Sequence, residues 1–360
     1  MIKLVVSPEN KMKAANANIY KGYHEVVTDH FYKWEKAQSK RYFEYRKKWE
    51  NNAKNLIVEN FPLHLDIGIT NVCNLECTFC ARTVLLNEDK FRGPAHMDFE
   101  LFKKIIDEAT EIGTFSVNLN LLNEPLTNPE LVKMIKYAKA RGIVDVHFHS
   151  HGGLLTEKKS IELLDSGLDK LLISIDTPNK EKYEKLRVLS KFDSVIEYLK
   201  KFKELRDDRN SLGPLIKSNF IEFPGITEEE MRQNMEFGLS ISDCVGFQEY
   251  LDPTGTIGTT KEYPQGYKSS FICQQPFTRL AIAEDGTVSP CCLDHEFELS
   301  VGNVKTQSLV ELWKNKGMEE MRKKQKDGKF FEIPRCRNCE MATNGDEGIP
   351  TQFEKYGPTL

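Results

Sequence analysis

Short apolar runs of alternating character recur through the middle of this chain. Each is followed by a longer stretch whose apolar positions return every three or four residues, the strand and helix periods respectively. The strand-like runs fall at 64–70, 114–122, 144–150, 170–176, 215–223 and 244–251. Between them, Asp98-Phe99-Glu100-Leu101-Phe102-Lys103-Lys104-Ile105-Ile106 has helical spacing, Asn128-Pro129 sets a cap residue before a first-turn proline, and Thr227-Glu228-Glu229-Glu230 has the spacing of a capping box. Six strand–helix units in succession predict a parallel sheet in an α/β fold, and their number predicts a partial (β/α)6 barrel resembling a TIM barrel. No G-x-G-x-x-G follows any of the runs, which argues against a dinucleotide-binding sheet. In barrels of this kind chemistry gathers at the C-terminal ends of the strands.

The flanks differ. Residues 1–60 are polar with aromatic punctuation (Tyr20, Tyr23, Phe31, Trp34, Tyr42, Phe43, Tyr45, Trp49), several at helical spacing, and predict a mostly helical arm lying on the barrel. After Leu251 the periodicity stops, and Asp252-Pro253-Thr254-Gly255 opens a turn-rich linker with Gly258, Pro264 and Gly266. Beyond it, Leu280-Ala281-Ile282-Ala283, Asp285-Gly286 and Thr287-Val288 predict a β-hairpin. The expected division is a helical arm at 1–60, the barrel at 61–251, a second unit at 252–345 and a tail at 346–360.

Composition narrows the functional classes. With 39% hydrophobic and 29% charged residues and a net charge of −4, the 360-residue chain reads as a soluble globular protein without the basic footprint of a nucleic-acid binder. The local clusters Lys40-Arg41 and Arg46-Lys47-Lys48 are interleaved with Glu44 and Glu50, as on a solvated helix face. No apolar run approaches the roughly 18 residues of a membrane span, and the start of the chain lacks a signal-peptide pattern, so a cytoplasmic protein is expected. In that reducing compartment nine cysteines point to metal ligation rather than disulfides.

The cysteines fall in two sets. The first, Cys73-Asn74-Leu75-Glu76-Cys77-Thr78-Phe79-Cys80, has the spacing C-x3-C-x2-C and follows the first predicted strand. Three thiolates on one tight loop can hold three corners of an iron–sulfur cube and leave the fourth iron open to a small molecule. Zinc also takes thiolates, but a structural zinc site wants four protein ligands and no fourth Cys or His lies close in this loop. The second set is Cys273, Cys291, Cys336 and Cys339, with Cys292 beside Cys291. On spacing alone it suits a zinc ribbon and an iron–sulfur cluster equally. Cys244 opens a strand and reads as a small core residue. His147, His149 and His151 share one strand face, but a straight strand spreads them over roughly 13 Å, too far for one ion.

The segment Thr70-Asn71-Val72-Cys73-Asn74-Leu75-Glu76-Cys77-Thr78-Phe79-Cys80 resembles the cluster loop of the radical S-adenosylmethionine (radical SAM) enzymes. The resemblance implies that Cys73, Cys77 and Cys80 bind a [4Fe-4S] cluster whose open iron takes SAM, and that Phe79 packs near the adenine. Asn123-Glu124-Pro125 resembles the family's Gly-Gly-Glu-Pro segment, which grips the SAM amino group, with Asn123 where glycine is usual. Ser150-His151-Gly152 stands where the family often has Thr-Asn-Gly, near the ribose. Ser174-Ile175-Asp176 resembles the family's Ser-Ile-Asp strand, and Arg187 the arginine that reaches the SAM carboxylate, a task suited to its planar fork.

Gly302-Asn303-Val304 and Ser308-Leu309-Val310-Glu311-Leu312-Trp313 resemble the helix entry of the family's SPASM and twitch extensions. With no cysteine after Cys339, the shorter twitch form is implied, with one auxiliary [4Fe-4S] cluster on Cys273, Cys291, Cys336 and Cys339. The expected activity is radical SAM chemistry: reductive cleavage of SAM to a 5′-deoxyadenosyl radical, hydrogen abstraction, and two-electron oxidation of a polyol or sugar-like small molecule. His149, His151 and Glu249 are candidate bases, and a flavodoxin- or ferredoxin-type reductant is implied. Peptide or protein modification is the alternative within the family, and a non-catalytic iron–sulfur or zinc protein the alternative outside it.

Overall fold

The computed structural model describes residues 23–251 and 262–344. Among the described residues ten strands form one sheet: β1 Tyr23–Val27, β2 His64–Ile67, β3 Ser116–Asn118, β4 Asp145–Ser150, β5 Lys170–Ser174, β6 Leu215–Glu222, β7 Cys244–Glu249, β8 Arg279–Ile282, β9 Thr287–Ser289 and β10 Gly302–Asn303. Their spatial order is β1-β7-β6-β5-β4-β3-β2-β8-β9-β10. β2 to β7 pair in parallel and in sequence order, as the periodicity predicted. Each crossover carries helical structure, including α4 Phe99–Ile112, α5 Leu131–Ala140, α6 Glu157–Leu164, α8 Phe192–Asp208 and α9 Glu228–Ile241, numbered after α1 Asp29–Lys36, α2 Lys40–Asn55 and α3 Ala81–Asn87, with α7 Lys180–Leu186 preceding α8.

Local sequence explains these elements. In α4, Asp98 caps the amides of Glu100 and Leu101, and Leu101, Phe102, Ile105, Ile106 and Ala109 form its buried stripe. Gly113 then ends the helix at φ 105°, a left-handed conformation that glycine adopts without strain. The Thr227–Glu230 capping box forms in full at the start of α9. Asn128 accepts from Glu130 at 2.8 Å, but the helix begins only at Leu131, after a single 3-10 turn at Pro125–Thr127.

Strand alternation sorts the two faces of the sheet. Leu65, Ile67, Val117, Val146, Phe148, Ile216, Phe220, Val245 and Phe247 join the main apolar core beneath the helices. The opposite, lumen face carries His64, Asp66, Asn118, Asp145, His147, His149, Lys170, Lys217 and Asn219. It is largely polar and ion-paired, with Leu172, in register with His149 and Lys217, as an aliphatic among these groups.

The arm differs from its predicted form. It contributes a strand as well as two helices, β1 pairing antiparallel with β7 from Tyr23↔Gln248 to Val27↔Cys244. The β-branched Val26 and Val27 favour that state over helix. Helices α1 and α2 close the floor of the barrel: Trp49 meets His64 edge-on at 5.8 Å, Tyr45 stacks on Phe115 at 5.8 Å, and the Lys170 ammonium lies over Trp34 and Tyr42. Residues 1–22 with Tyr20, the linker from Asp252 through Gly258, and the tail from 346 lie outside the described residues.

The predicted hairpin forms as β8 and β9, with Gly286 at φ 88° in its turn. Its first strand also pairs in parallel with β2, from His64↔Arg279 to Ile67↔Ile282. Long-range pairing of that kind leaves no trace in local periodicity. Helix α10 Gln275–Thr278 leads into the hairpin, which is followed by α11 Leu309–Trp313, with a capping box from Ser308 and Glu311, then α12 Lys316–Lys326, α13 Pro334–Arg337 and α14 Glu340–Asn344. No helix among the described residues is long and apolar enough to cross a membrane.

Candidate active site

The first cysteine loop leaves the C-terminal end of β2 and is pinned on every side. Thr70 Oγ1 accepts from the Val72 amide at 3.0 Å, and Asn71 Oδ1 accepts from Ala95 at 2.7 Å. Asn71 Nδ2 donates to Gly93 O and to Glu284 Oε1 at 3.0 Å, so the loop is tied to the hairpin of the C-terminal unit. The amides of Glu76 and Thr78 donate to the carbonyls of Val188 and Leu186. Cys73 Sγ accepts from the Leu75 amide at 3.4 Å, and Arg187 Nη1 lies 3.9 Å from Cys77 Sγ.

Burial pushes the Cys73 thiol above its ordinary value and the Cys77 thiol up to about 11. A metal binding here must therefore displace protons. Three soft donors, with one backbone N–H beside Cys73 Sγ and a guanidinium beside Cys77 Sγ, fit an iron–sulfur cluster with an open corner. Among the described residues, no group of His, Cys, Asp and Glu is arranged to hold a single metal ion. A cube asks for a wider ring, because its thiolates attach to separate irons.

The ends of β3 and β4 meet at Glu124, which is 1% exposed. Its carboxylate accepts from the Leu126 amide at 3.0 Å, Ser150 Oγ at 2.9 Å and the His151 amide at 2.9 Å. Those bonds use most of its roughly four acceptor sites. Glu124 thus braces two strand ends, and Pro125 opens the turn that follows. Asn123 Oδ1 accepts from the Leu121 amide at 2.7 Å, shaping the bend before it. His151 Nε2 is 2.9 Å from Asn74 Oδ1, in the cysteine loop, and its imidazole is held below the usual value by burial. That ring is committed to positioning the loop.

Arg187 follows α7 and is buried against Asp176, its Nε donating at 2.8 Å and Nη2 lying 2.5 Å from the same oxygen. Asp176 sits at φ 65° just past β5, a strained turn that aims its side chain back at the guanidinium. The Arg187 guanidinium lies 5.3 Å from the Phe79 ring, and Phe79 meets Phe223 edge-on at 5.2 Å. Ser174, at the end of β5, pairs in register with Asn219. Cys73, Cys77, Cys80, Phe79, Glu124, Ser150, Ser174 and Arg187 therefore lie at one end of the barrel. Sequence reading passed over Asp176 and Asn74 as partners. Asp176 stood inside the Ser-Ile-Asp segment, a signal that could have prompted the pairing.

The three histidines of β4 diverge. His147 stacks on His64 at 5.6 Å near the floor, His149 lies 3.4 Å from Asn219 Nδ2 in the lumen, and His151 turns to the cysteine loop. Burial pushes His149 down to about 3, so its ring is neutral. Glu249 shares its strand face with Val245 and Phe247, opposite the inward Gly246 and Gln248, and pairs in register with Glu222. Burial and the adjacent Glu249 push Glu222 up to about 7.

In the C-terminal unit, Cys273, Cys291, Cys336 and Cys339 surround one cavity of about 30 Å³, shared with Phe271, Pro276, Leu293, Met321 and Phe330. A single water needs roughly 10–15 Å³ on this measure. Four thiols around an apolar hollow fit a cluster closed by protein ligands. Burial and the neighbouring thiols raise Cys291 and Cys336 well above the usual value. Cys292 lies outside the ring, its Sγ 3.6 Å from Gln275 Nε2.

Residues 67–238 match the model of the radical SAM superfamily, and residues 273–340 match the SPASM iron–sulfur cluster-binding domain. A probable GTP 3′,8-cyclase of Methanococcus maripaludis is 31% identical over 275 residues, which cover 66% of this chain and 87% of that protein. A probable GTP 3′,8-cyclase of Methanocaldococcus jannaschii is 29% identical over 188 residues, 52% of this chain; the match spans only 58% of that relative's length. Among solved structures, BtrN in complex with AdoMet and 2-DOIA superposes with a TM-score of 0.53 at 17% identity, covering 79% of this chain and 94% of that one. At that identity the likeness is one of fold.

Proposed function

The chain belongs to the radical SAM superfamily and carries a C-terminal SPASM iron–sulfur domain, and on that premise we propose that it oxidises a carbinol carbon of a small polyol or sugar-like substrate, CH–OH to C=O. It is a radical SAM enzyme, using SAM with the family's [4Fe-4S] cluster and auxiliary iron–sulfur chemistry. In our reading Cys73, Cys77 and Cys80 hold the first cluster and Cys273, Cys291, Cys336 and Cys339 hold a single [4Fe-4S] auxiliary cluster of twitch type. When bound, SAM supplies the radical that removes the carbon-bound hydrogen, and the auxiliary cluster supplies an acceptor for the electron left behind.

The chain's own residues do the rest. Arg187 offers the SAM carboxylate the N–H groups that Asp176 and Cys77 leave over. Glu124, Ser150 and Asn123 hold the strand ends that would receive the SAM amino group and ribose, and Phe79 would give the adenine an apolar wall. The floor closed by α1 and α2 excludes water from the lumen. Of the three candidate bases, His149 is the one that faces the lumen, and we assign it the substrate hydroxyl proton.

One observation carries the oxidation reading: four thiols converge on one cavity in a unit joined to the barrel by β8 pairing with β2. The test is turnover of a substrate deuterated at the reacting carbon, with anaerobically reconstituted enzyme and a flavodoxin- or ferredoxin-type reductant. Label should enter 5′-deoxyadenosine, one equivalent per carbonyl formed. Label returning to product with SAM regenerated would make the reaction an isomerisation. A product gaining a methyl group or sulfur would assign the auxiliary cluster to other chemistry.

A further inference from the structure

The lumen between the two cysteine sets holds polar groups that the fold itself leaves unused. Asn118 is 9% exposed and Asn219 8% exposed, and the Oδ1 atom of each is buried without a hydrogen-bond partner. Such atoms are costly to leave unsatisfied and call for an explanation. Strand alternation turns both toward the lumen, since Val117, Ile216 and Phe220 occupy the opposite face. Asn118 Nδ2 is already spent on Asp66 Oδ1 at 2.9 Å and Asn120 O at 3.1 Å, which leaves its oxygen as an acceptor.

Asn219 and His149 form a coupled pair, with Nδ2 and Nδ1 3.4 Å apart. If the amide nitrogen donates to a bare Nδ1, the pair presents an amide oxygen and an Nε2–H. If the amide is turned and Nδ1–H donates to its oxygen, the pair presents an NH2 and a bare Nε2. Either state offers the lumen one donor and one acceptor. A hydroxyl matches both states, whereas an oxygen that only accepts leaves Asn118 and one member of the pair unmatched.

Charge points the same way. Lumen-facing Asp66 is held by His64 and Arg279 at 3.2 Å each, Lys217 by Glu25 at 2.6 Å, and Lys170 by Asp145 at 2.7 Å. Each of these cations already meets a carboxylate, so a phosphate entering the lumen would compete with a buried ion pair.

We propose that Asn118, His149 and Asn219 form the substrate subsite of the barrel lumen, and that it takes a neutral, hydroxyl-rich ring or chain rather than a phosphorylated or nucleotide substrate. This rests on the oxidation reading and names the substrate class for it. Asn118 Oδ1 accepts from one hydroxyl, and the Asn219–His149 pair exchanges a donor and an acceptor with another. In the second state of that pair Nε2 is bare and able to take a hydroxyl proton.

The experiment uses reconstituted full-length enzyme saturated with SAM, and equilibrium binding of myo-inositol, glucose, myo-inositol 1-phosphate and GTP. Asn118→Leu, Asn219→Leu and His149→Phe are compared with the unaltered chain, with SAM binding and iron content as controls. The expected result is saturable binding of a neutral probe, weakened about tenfold in each variant, with SAM affinity and iron unchanged. Variant-sensitive binding of the phosphorylated probe or GTP overturns the proposal, and so does absence of saturable binding by every neutral probe. Neutral-probe binding that the variants leave intact also overturns it. The oxidation reading fails separately, through the fate of the deuterium label, whichever probe binds.

Discussion

Substitution of Arg187 tests whether the residue grips the cofactor as well as supporting the fold. The residue is 6% exposed and its partner Asp176 3% exposed, so the pair is a buried one. A guanidinium has five N–H groups. Nε and one N–H of Nη2 go to Asp176, and one N–H of Nη1 points at Cys77 Sγ. One N–H remains on each terminal nitrogen, a spacing suited to the two oxygens of a carboxylate. Arg187→Ala should raise the dissociation constant of SAM by about 30- to 140-fold, equivalent to about 2–3 kcal/mol of charge-assisted hydrogen bonding. It also strands the Asp176 carboxylate, which should cost about 3–5 kcal/mol of stability and lower the melting temperature by on the order of 10 °C. Arg187→Lys keeps the charge without the fork and should fall between on SAM binding. Asp176→Asn should lower stability while weakening SAM less, because the guanidinium remains. Equilibrium binding to reconstituted enzyme, iron analysis and thermal melts check these outcomes. If Arg187→Ala melts early, keeps its iron and binds SAM with unchanged affinity, Arg187 is a structural brace and its place in the cofactor site is refuted.

Three further outcomes follow from the geometry. Replacing Cys73, Cys77 and Cys80 together by Ala should abolish SAM cleavage and leave the iron and sulfide of one cluster, and stoichiometric zinc in their place would sink the auxiliary-cluster assignment. Glu222 has a carboxyl raised to about 7 by burial and by Glu249, so its contribution is fully present below its unfolded value near 4.5 and is lost as pH rises through about 7. Glu222→Gln should therefore flatten the decline in melting temperature across that window; an unchanged decline would remove Glu222 as its source. Gly238→Ala should destabilise by about 1–3 kcal/mol, because an added Cβ would lie 2.6 Å from Val245 Cγ2 and 2.9 Å from Phe220 Cε2; a neutral denaturation midpoint would contradict that packing.

Much of this was legible in the sequence, for identifiable reasons. Strand alternation and helical spacing are local, so the six parallel strands stand within a few residues of the predicted runs. The cysteine loop was legible because its chemistry depends on spacing along the chain. What escaped was non-local. Nothing near Glu25 announces that it meets Lys217, 192 residues away, and nothing near Arg279 announces a strand beside His64. Glu124 was recognised by its neighbours along the chain, but its saturation by Ser150 and His151 is visible only in three dimensions. The facing of Asn118 and Asn219 is not marked by those residues themselves; the apolar alternation of Ile216 and Phe220 holds the signal that Lys217 and Asn219 turn the other way.

The pairing of β8 with β2 and of β1 with β7 has a consequence for how this enzyme can be cut. A partial barrel is an open sheet, and an open sheet ends in strands whose unpaired amides and carbonyls invite other chains to add on. Here both ends are covered from outside the six-stranded core, one by the arm and the other by the cluster-bearing unit. A truncation after residue 251 would lay bare β2 with its buried Leu65 and Ile67, and with it the backbone from which the Cys73 loop hangs. Such a fragment should self-associate rather than persist as a minimal soluble enzyme, and on that outcome the C-terminal unit would serve as a built-in chaperone for the strand that presents the Cys73 loop.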